Sequence, residues 1–188
     1  MPAVSHVLGL GNPGREYQGT RHNLGFAVVE EVASRRNLRW RGDGKKAEST
    51  LLHLRGRQVK LVKPLTFMNR SGEALEVCRG AEPASILVVC DDIHLPLGTI
   101  RIRAGGGGGG HRGLESIERE LGTGAYPRLR LGVGPAPDGS DWSDFVLGRF
   151  TGEEIEAAGR VVEEGADAVE TALARSIDAA QQAYNGKI

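Results

Sequence analysis

Runs and alternations of apolar positions along the chain predict six β-strands. Residues 86–90 form an uninterrupted apolar run, which is typical of a central strand buried on both faces. Residues 99–103 and 128–133 alternate instead, as strands with one polar face do. The predicted strands are residues 4–10, 50–54, 58–62, 86–90, 99–103 and 128–133. We expect Arg55-Gly56-Arg57 to close a hairpin between the second and third of them.

Apolar positions spaced three or four residues apart predict helices between these strands. The predicted helices are residues 23–36, 72–79, 114–121 and a segment from Thr151 onward, which we expect to be broken or kinked near Gly159 and Gly165. Strands and helices interleave, and the hairpin makes two neighbouring strands antiparallel. The fold class is therefore α/β, with a mixed sheet flanked by helices, in a single globular domain covering residues 1–188.

The distribution of charge along the chain says more than its composition. The 188 residues are 39% hydrophobic and 26% charged, which suits a globular protein with one core, and the formal net charge is zero. Residues 1–137, however, hold 20 Lys and Arg against 13 Asp and Glu, whereas residues 138–188 hold 4 against 11. A basic body of this kind can present a positive face to a polyanion. The alternative is a solvated surface with helical ion pairs.

Cysteine content and the N-terminal segment indicate a cellular compartment. Cys78 and Cys90 are too few and too far apart for a disulfide framework or a zinc ribbon, so we expect buried free thiols in a reducing compartment. The N-terminus lacks the basic start and long apolar run of a signal peptide. No stretch approaches the ~20 apolar residues of a membrane span. We therefore expect a cytoplasmic protein that does not enter a membrane.

A glycine motif near the N-terminus matches the dinucleotide-binding pattern only in its letters. Gly9, Gly11 and Gly14 have the G-x-G-x-x-G spacing, but Pro13 lacks the amide that the phosphate-binding turn would use. The following helix begins several residues too late, and Glu30 falls inside it rather than at the end of a second strand. We therefore expect no nucleotide cofactor.

A histidine and a carboxylate are the strongest candidates for catalysis. His22 lies in a polar stretch at the start of a predicted helix, and imidazole can exchange a proton with water near neutral pH. Taken alone, it is better explained as a helix cap or a surface histidine. Asp91, at the end of the predicted central strand, could orient that imidazole as the acid of a catalytic triad does. Asn12 would bring an amide to the same end of the sheet, and Asn69 is a second amide donor or a turn residue.

Six consecutive glycines, residues 105–110, precede another predicted helix. Such a loop could let a polymer backbone approach closely while nearby arginines supply charge; the alternative is a disordered loop. These arginines are Arg101, Arg103, Arg112, Arg128 and Arg130. The chain has no serine elbow, H-E-x-x-H or C-x-x-C motif, so covalent serine chemistry and a zinc site have little support.

Taken in order, these segments resemble bacterial peptidyl-tRNA hydrolases over nearly the whole chain. The matching segments are VLGLGNPG at 7–14, Tyr17, TRHN at 20–23, Gly25, KP at 63–64, TFMN at 66–69, SG at 71–72, DD at 91–92, LP at 95–96, Gly98, GH at 110–111, GL at 113–114, RLRLGVG at 128–134 and FVLG at 145–148. The resemblance implies a monomeric α/β globule with a twisted mixed sheet. It also implies hydrolysis, without metal or cofactor, of the ester that joins a peptide to the 3′ ribose of tRNA.

The resemblance further implies roles for the matched residues. His22 resembles the family's catalytic base, and Asp91 resembles the acid that orients it. Asn12 and Asn69 resemble the amides that hold the peptide end and polarise the ester. The other implied substrate-binding residues are Tyr17, Phe67, Met68 as a wall of the site, and Arg112; those implied to meet tRNA phosphates are Arg103 and Arg130.

Three features depart from the family's usual pattern, and one of them is that Gly107-Gly108-Gly109 lacks the usual polar or bulkier residue of that loop. Arg112 stands where an asparagine usually follows the Gly-Gly-His segment, and His94 replaces a usual acidic residue near Asp91. Arginine is longer than asparagine and always charged, so Arg112 could contact a phosphate or crowd the site. This substitution motivates the alternative of a non-catalytic RNA-binding relative with the same fold. A nucleotide-cofactor enzyme is a further alternative, motivated only by the glycine spacing.

Overall fold

One mixed sheet of seven strands organises residues 2–186, the part of the chain that the computed structural model describes. The strands are β1 (His6–Gly9), β2 (Arg41–Asp43), β3 (Ala47–Leu54), β4 (Arg57–Pro64), β5 (Ile86–Pro96), β6 (Ile100–Arg103) and β7 (Arg128–Gly134), in the spatial order β2-β3-β4-β1-β5-β7-β6. The α-helices are α1 (Leu24–Arg35), α2 (Arg112–Leu121), α3 (Trp142–Leu147), α4 (Glu154–Ala174) and α5 (Ile177–Tyr184). Turns of 3-10 helix cover Arg15–Tyr17, Arg21–Asn23, Met68–Cys78 and Pro83–Ser85.

Both parallel and antiparallel pairs occur in the sheet, which confirms the predicted mixed α/β fold. β1 pairs in parallel with β4 and β5, and β5 pairs in parallel with β7. The predicted hairpin joins β3 and β4, with Leu54 opposite Arg57. Arg55 and Gly56 at its tip have φ values of 50° and 79°, as a type I′ turn requires. The antiparallel pair of β6 and β7 closes the other edge.

Two hydrophobic clusters cover the two faces of the sheet. Leu87 and Val89 of β5 pack on one face with apolar residues of α1, α4 and α5. Val88 and Cys90 point to the other face and pack with residues of α2 and the Met68–Cys78 segment. Because both faces are covered, the strand is apolar at every position from Ile86 to Cys90, as predicted for a central strand.

The N-terminus of α1 lies directly against the sheet, and glycine permits this approach. A Cβ on Gly25 would stand 2.4 Å from the carbonyl oxygen of Val89, and one on Gly9 would stand 2.2 Å from that of Gly25. No larger side chain fits at either position. This contact sets the turn that precedes α1, and with it His22, over strand β5.

Several predicted boundaries were wrong. Strand β5 continues to Pro96, so Asp91 and Asp92 lie within the strand and not beyond its end. The predicted helix at 72–79 is a 3-10 segment, and α4 runs unbroken through Gly159 and Gly165. At Gly165 the missing side chain makes room for Val28 and Leu131, which explains the glycine without a kink. Strand β2 and helix α3 were not predicted.

Both cysteines are buried free thiols, as predicted. Burial raises the pKa of Cys78 to about 12. It raises the pKa of Cys90 further still. Within the described part of the chain, every helix is too short or too polar to cross a membrane.

Candidate active site

The expected contact between His22 and Asp91 is present. His22 lies in the 3-10 turn Arg21–Asn23 ahead of α1, and its Nδ1 is 2.8 Å from Oδ1 of Asp91. The Asp91 side chain is 1% exposed and that of His22 is 12% exposed. The imidazole therefore lies at the surface of the cluster, while the carboxylate lies beneath it. The chemical role of this pair stays a prediction at this point.

A second histidine, which the sequence analysis did not include in the site, shares the same carboxylate oxygen. His111 Nε2 is 3.1 Å from Asp91 Oδ1. Its Nδ1 accepts the backbone N–H groups of Gly113 and Leu114 at 3.1 and 3.3 Å, which caps helix α2. Since Nδ1 is an acceptor, the ring proton is on Nε2 and is donated to Asp91. The sequence signal for it is the position of His111 between the glycine run and the start of a helix.

Electrostatics favour an ionised Asp91 and one tautomer of His22. Burial by itself raises the pKa of the Asp91 carboxyl, but the charge and hydrogen bonds of the two imidazoles outweigh burial and hold that pKa well below its ordinary value. A carboxylate only accepts hydrogen bonds, so the His22 proton is on Nδ1. The Nε2 atom of His22 is then an unprotonated base.

His22, Asp91 and His111 also form a set of possible metal ligands, with ligand atoms within 4.8 Å of one another. Nitrogen and carboxylate ligands of this kind suit divalent transition metals. In the geometry observed, however, both nitrogens lie at hydrogen-bond distance from one oxygen. A metal ion would have to replace both protons, including the one that the helix cap fixes on His111. The arrangement therefore fits a proton-transfer cluster better than a metal site.

Asn12 is held rigidly next to the segment that contains Met68 and Asn69. Its Oδ1 accepts the backbone N–H of Met68 at 2.7 Å, and its own backbone exchanges two hydrogen bonds with the Asn23 side chain. Asn12 is buried, whereas Asn69 is exposed. Because Oδ1 is engaged, the amide NH₂ of Asn12 points the other way, and it has no acceptor among residues 2–186. It is therefore a donor available to a ligand.

Of the other predicted peptide-side residues, Met68 bonds this asparagine directly, and Phe67 precedes Met68 in the chain. Met68 is 4% exposed, and a Cβ on Gly113 would stand 2.6 Å from its Sδ, so it packs against the start of α2. The rings of Tyr17 and Phe67 meet edge to face at 6.3 Å, and Phe67 is 54% exposed. The structure thus pairs Met68 with Asn12 and Phe67 with Tyr17, and Asn12 lines a different cavity from the one that His22 lines.

The predicted arginines fall into two groups. Arg103 and Arg112 are exposed. Arg130 forms an ion pair with Asp92 at 3.0 Å and also donates to carbonyl groups of the glycine run. Arg128 was wrongly included as surface charge: it is 1% exposed, lies 4.1 Å over the Tyr126 ring, and donates to the carbonyl oxygen of Gly107. Two arginines, Arg128 and Arg130, therefore hold the glycine run in place by hydrogen bonds to its carbonyl groups.

A cavity of about 470 Å³ opens beside the cluster. His22, Asp91 and His111 line it, and so do His94, Arg112 and Trp142. This volume is within the range of about 300–1,000 Å³ that is usual for small-molecule sites. The site therefore combines an oriented base, a buried carboxylate, a positive charge and space for a ligand group.

Comparisons with known proteins agree with this geometry. Residues 6–188 match the family model described as peptidyl-tRNA hydrolase. A peptidyl-tRNA hydrolase of Chloroflexus aggregans is 44% identical over 183 residues, which are 95% of this chain and 97% of that protein. One of Methylacidiphilum infernorum is 52% identical over 151 residues, 79% of this chain and 80% of that protein. The crystal structure of peptidyl-tRNA hydrolase from Acinetobacter baumannii has a TM-score of 0.89 at 32% identity and covers 97% of this chain and 95% of its own. This chain is therefore a member of the peptidyl-tRNA hydrolase family.

Proposed function

We propose that His22 is the general base with which this peptidyl-tRNA hydrolase cleaves the ester bond between the peptide and the tRNA. The observation that carries this assignment is the 2.8 Å contact between His22 Nδ1 and the buried Asp91 carboxylate. It leaves Nε2 free to take a proton from water. The water oxygen attacks the ester carbonyl carbon, and the same proton can later pass to the departing 3′ oxygen of the ribose. The products are a free peptide and a free tRNA.

Asp91 and His111 keep this base ready for the reaction. When His22 gains a proton it becomes positively charged, and the ionised Asp91 beside it stabilises that charge. His111 donates to the same oxygen of Asp91, so the carboxylate is held in one position by two donors. A well-positioned general base contributes roughly 10²–10⁴ to the rate.

Amide donors supply the second element of the mechanism. The free NH₂ of Asn12 and the exposed side chain of Asn69 are suited to hold the peptide main chain and the oxygen that becomes negative during attack. One oriented donor to such an oxyanion contributes roughly 10²–10³ to the rate. Tyr17, Phe67 and Met68 form the adjoining wall. Recognition through main-chain groups would accept peptides of many sequences.

The tRNA partner requires positive charge on the approach to this site. Arg103 on strand β6 is exposed and forms no ion pair among residues 2–186, which suits a phosphate contact. Arg130 already bonds Asp92 through Nη1, so we assign it a contact at the rim of the site. Arg112 lines the cavity itself. These three residues lie in the basic part of the chain, residues 1–137.

The same reasoning extends to the setting of the enzyme. We infer that it acts as a monomer in the cytoplasm, where its substrate is produced and where buried thiols such as Cys90 stay reduced. Its proton transfers use only the side chains of this chain and one water, so the mechanism requires no cofactor.

The test is cleavage of a peptidyl-tRNA by the wild-type protein and by His22→Ala, with His53→Ala as the matched control. His53 is an exposed histidine on β3, and its loss leaves the site intact. We expect His22→Ala to lower kcat by roughly 10²–10⁴-fold and His53→Ala to leave it unchanged. Full activity of His22→Ala would overturn the assignment. Binding of tRNA by the wild-type protein without cleavage would favour the non-catalytic alternative.

A further inference from the structure

A buried arginine stands directly before His22 in the chain, and the proposed reaction does not use it. Arg21 is 7% exposed, and its guanidinium lies 4.4 Å from the ring centroid of Phe145 and 5.0 Å from that of Phe150. Burying a permanent charge costs free energy unless the charge is paired and hydrogen-bonded. The partners of this guanidinium therefore show what its burial achieves.

The guanidinium of Arg21 joins the turn to the connection between α3 and α4. Its Nη2 donates to both carboxylate oxygens of Glu154 at 2.8 Å, and its Nη1 donates to the carbonyl oxygen of Arg149 at 2.9 Å. The backbone N–H of Arg21 also donates to the carbonyl oxygen of Gly148 at 3.1 Å. Glu154 in turn accepts the backbone N–H of Thr151 at the start of α4. The side chain and the backbone of one residue thus hold the same neighbouring segment.

Each of the three residues of this turn is tied to a different part of the fold. The His22 imidazole bonds Asp91 on β5, and the Asn23 side chain bonds the backbone of Asn12 in the loop after β1. Arg21 supplies the third attachment, to the connection between α3 and α4. Three attachments in different directions fix both the position and the orientation of a short segment. Two attachments would leave it free to rotate about the line that joins them.

We propose that Arg21 is a positioning residue for the reaction and holds the turn so that the Nε2 atom of His22 faces the water and the ester. The proposal rests on the function proposed above, because Arg21 acts only through His22. Asp91 fixes one nitrogen of the imidazole, but a ring held at one atom still tilts with its backbone. A displacement of about 1 Å at a reacting group can cost roughly 10²-fold in rate. The planar fork of arginine bonds a carboxylate and a carbonyl group in fixed geometry, which the ammonium of lysine does not.

The kinetic test compares Arg21→Ala and Arg21→Lys with wild type and uses Arg57→Ala as the matched control. Arg57 also joins two elements, since its guanidinium donates to the carbonyl oxygens of Val4 and Leu173. It begins β4, which runs parallel to β1, so it lies at the end of the sheet away from His22. We expect Arg21→Ala to lower kcat about 100-fold with KM nearly unchanged. Arg21→Lys should lose less, and Arg57→Ala should keep its kcat.

Chemical rescue separates the role of the guanidinium from a general effect on folding. Guanidinium chloride, at a concentration too low to unfold the protein, should restore part of the kcat of Arg21→Ala, whereas an equal concentration of sodium chloride should not. Wild-type kcat in a folded Arg21→Ala would overturn the proposal, with thermal unfolding as the check on folding. If that variant does not fold, wild-type kcat in Arg21→Lys would overturn it instead.

A second measurement does not depend on turnover. The proton that His22 Nδ1 donates to Asp91 gives its own NMR signal, which should broaden or disappear in Arg21→Lys and persist in Arg57→Ala. A loss of kcat in Arg21→Lys with an unchanged signal would overturn the proposal, because Arg21 would then not act through the imidazole. Full activity of His22→Ala would refute the proposed function, whereas loss of the signal in Arg21→Lys would still show that Arg21 positions this ring.

Discussion

The two walls of the cavity beside His22 are built in opposite ways. The inner wall consists of His22, Asp91 and His111, which are mostly buried, and both imidazoles are hydrogen-bonded to Asp91. The outer wall consists of Arg112 and Trp142, which are exposed and free of ion pairs within the described residues. A buried cluster holds one geometry and suits proton transfer, whereas exposed long side chains adapt to a ligand. On the proposed function, we expect the inner wall to set the rate of the reaction and the outer wall to affect the affinity for the substrate.

The largest expected effect lies on the inner wall. Asp91→Asn should lower kcat of peptidyl-tRNA cleavage by roughly 10²–10⁴-fold, because a neutral amide cannot stabilise the imidazolium that forms on His22. KM should change far less. Asp92→Asn is the matched control: this neighbouring carboxylate pairs with Arg130, not with a histidine. Steady-state kinetics, with thermal unfolding as a check on folding, measures both. Equal losses of kcat in the two variants would contradict the specific role of Asp91.

A smaller effect is expected on the outer wall. Arg112→Asn should raise KM about fivefold with little change in kcat, and should reduce the slope of log KM against log salt concentration by about 1, because one phosphate contact is lost. Arg119→Ala removes an equal charge from an exposed position on the same helix that does not line the cavity. It should change neither KM nor the salt dependence of KM. A fall in kcat with unchanged KM in Arg112→Asn would place Arg112 with the inner wall.

The smallest expected effect concerns the connection between the walls. Arg21, next to His22, bonds both carboxylate oxygens of Glu154 at 2.8 Å, and its guanidinium lies 4.4 Å from the Phe145 ring of α3. Glu154 is half-exposed, so Glu154→Gln should lower the free energy of unfolding at pH 7 by only about 1 kcal/mol. Glu156→Gln, at an exposed position on the same helix, should leave it nearly unchanged.

This contribution of Glu154 should depend on pH. Burial tends to raise the pKa of Glu154, but hydrogen bonds from Thr151 and Arg21 outweigh it and lower that pKa below its ordinary 4.5. A lowered pKa in the folded state means stability that is present above pH 4.5 and is lost as the pH falls through the folded value. The difference between wild type and Glu154→Gln in urea unfolding should therefore shrink from pH 7 to pH 3.5. A constant difference would contradict the ion pair.

The fold was predictable from sequence wherever buried residues form a continuous apolar run or recur at the spacing of a strand or helix. The apolar run from Ile86 to Cys90 and the hairpin around Gly56 were correctly predicted from sequence alone. The end of β5 was predicted wrongly. A carboxylate such as Asp91 indicates the end of a strand unless its buried partners are known. Helix α3 was missed since only Val146 in it is buried, which leaves no periodic pattern to detect.

In the site, pairs of complementary residues were predictable and shared partners were not. His22 and Asp91 were paired from their chemistry and their positions at the sheet edge. His111 was missed because its contact with Asp91 depends on how the glycine run folds back over the sheet. That fold depends in turn on Arg128, whose buried guanidinium donates to the carbonyl oxygen of Gly107 in the run and to that of Gly124. A sequence shows the charge of Arg128 but not the acceptors that surround it.

The most direct test of the account is the protonation pattern of the two histidines at a pH where both rings are neutral. Long-range ¹H–¹⁵N NMR spectra of the labelled protein distinguish the protonated ring nitrogen from the bare one. We predict that His22 carries its proton on Nδ1 and His111 on Nε2. In Asp91→Asn the His22 pattern should be lost, whereas His111 should keep its proton on Nε2 because its Nδ1 still caps α2. A wild-type His22 protonated on Nε2 would leave no base facing the water and would contradict the mechanism.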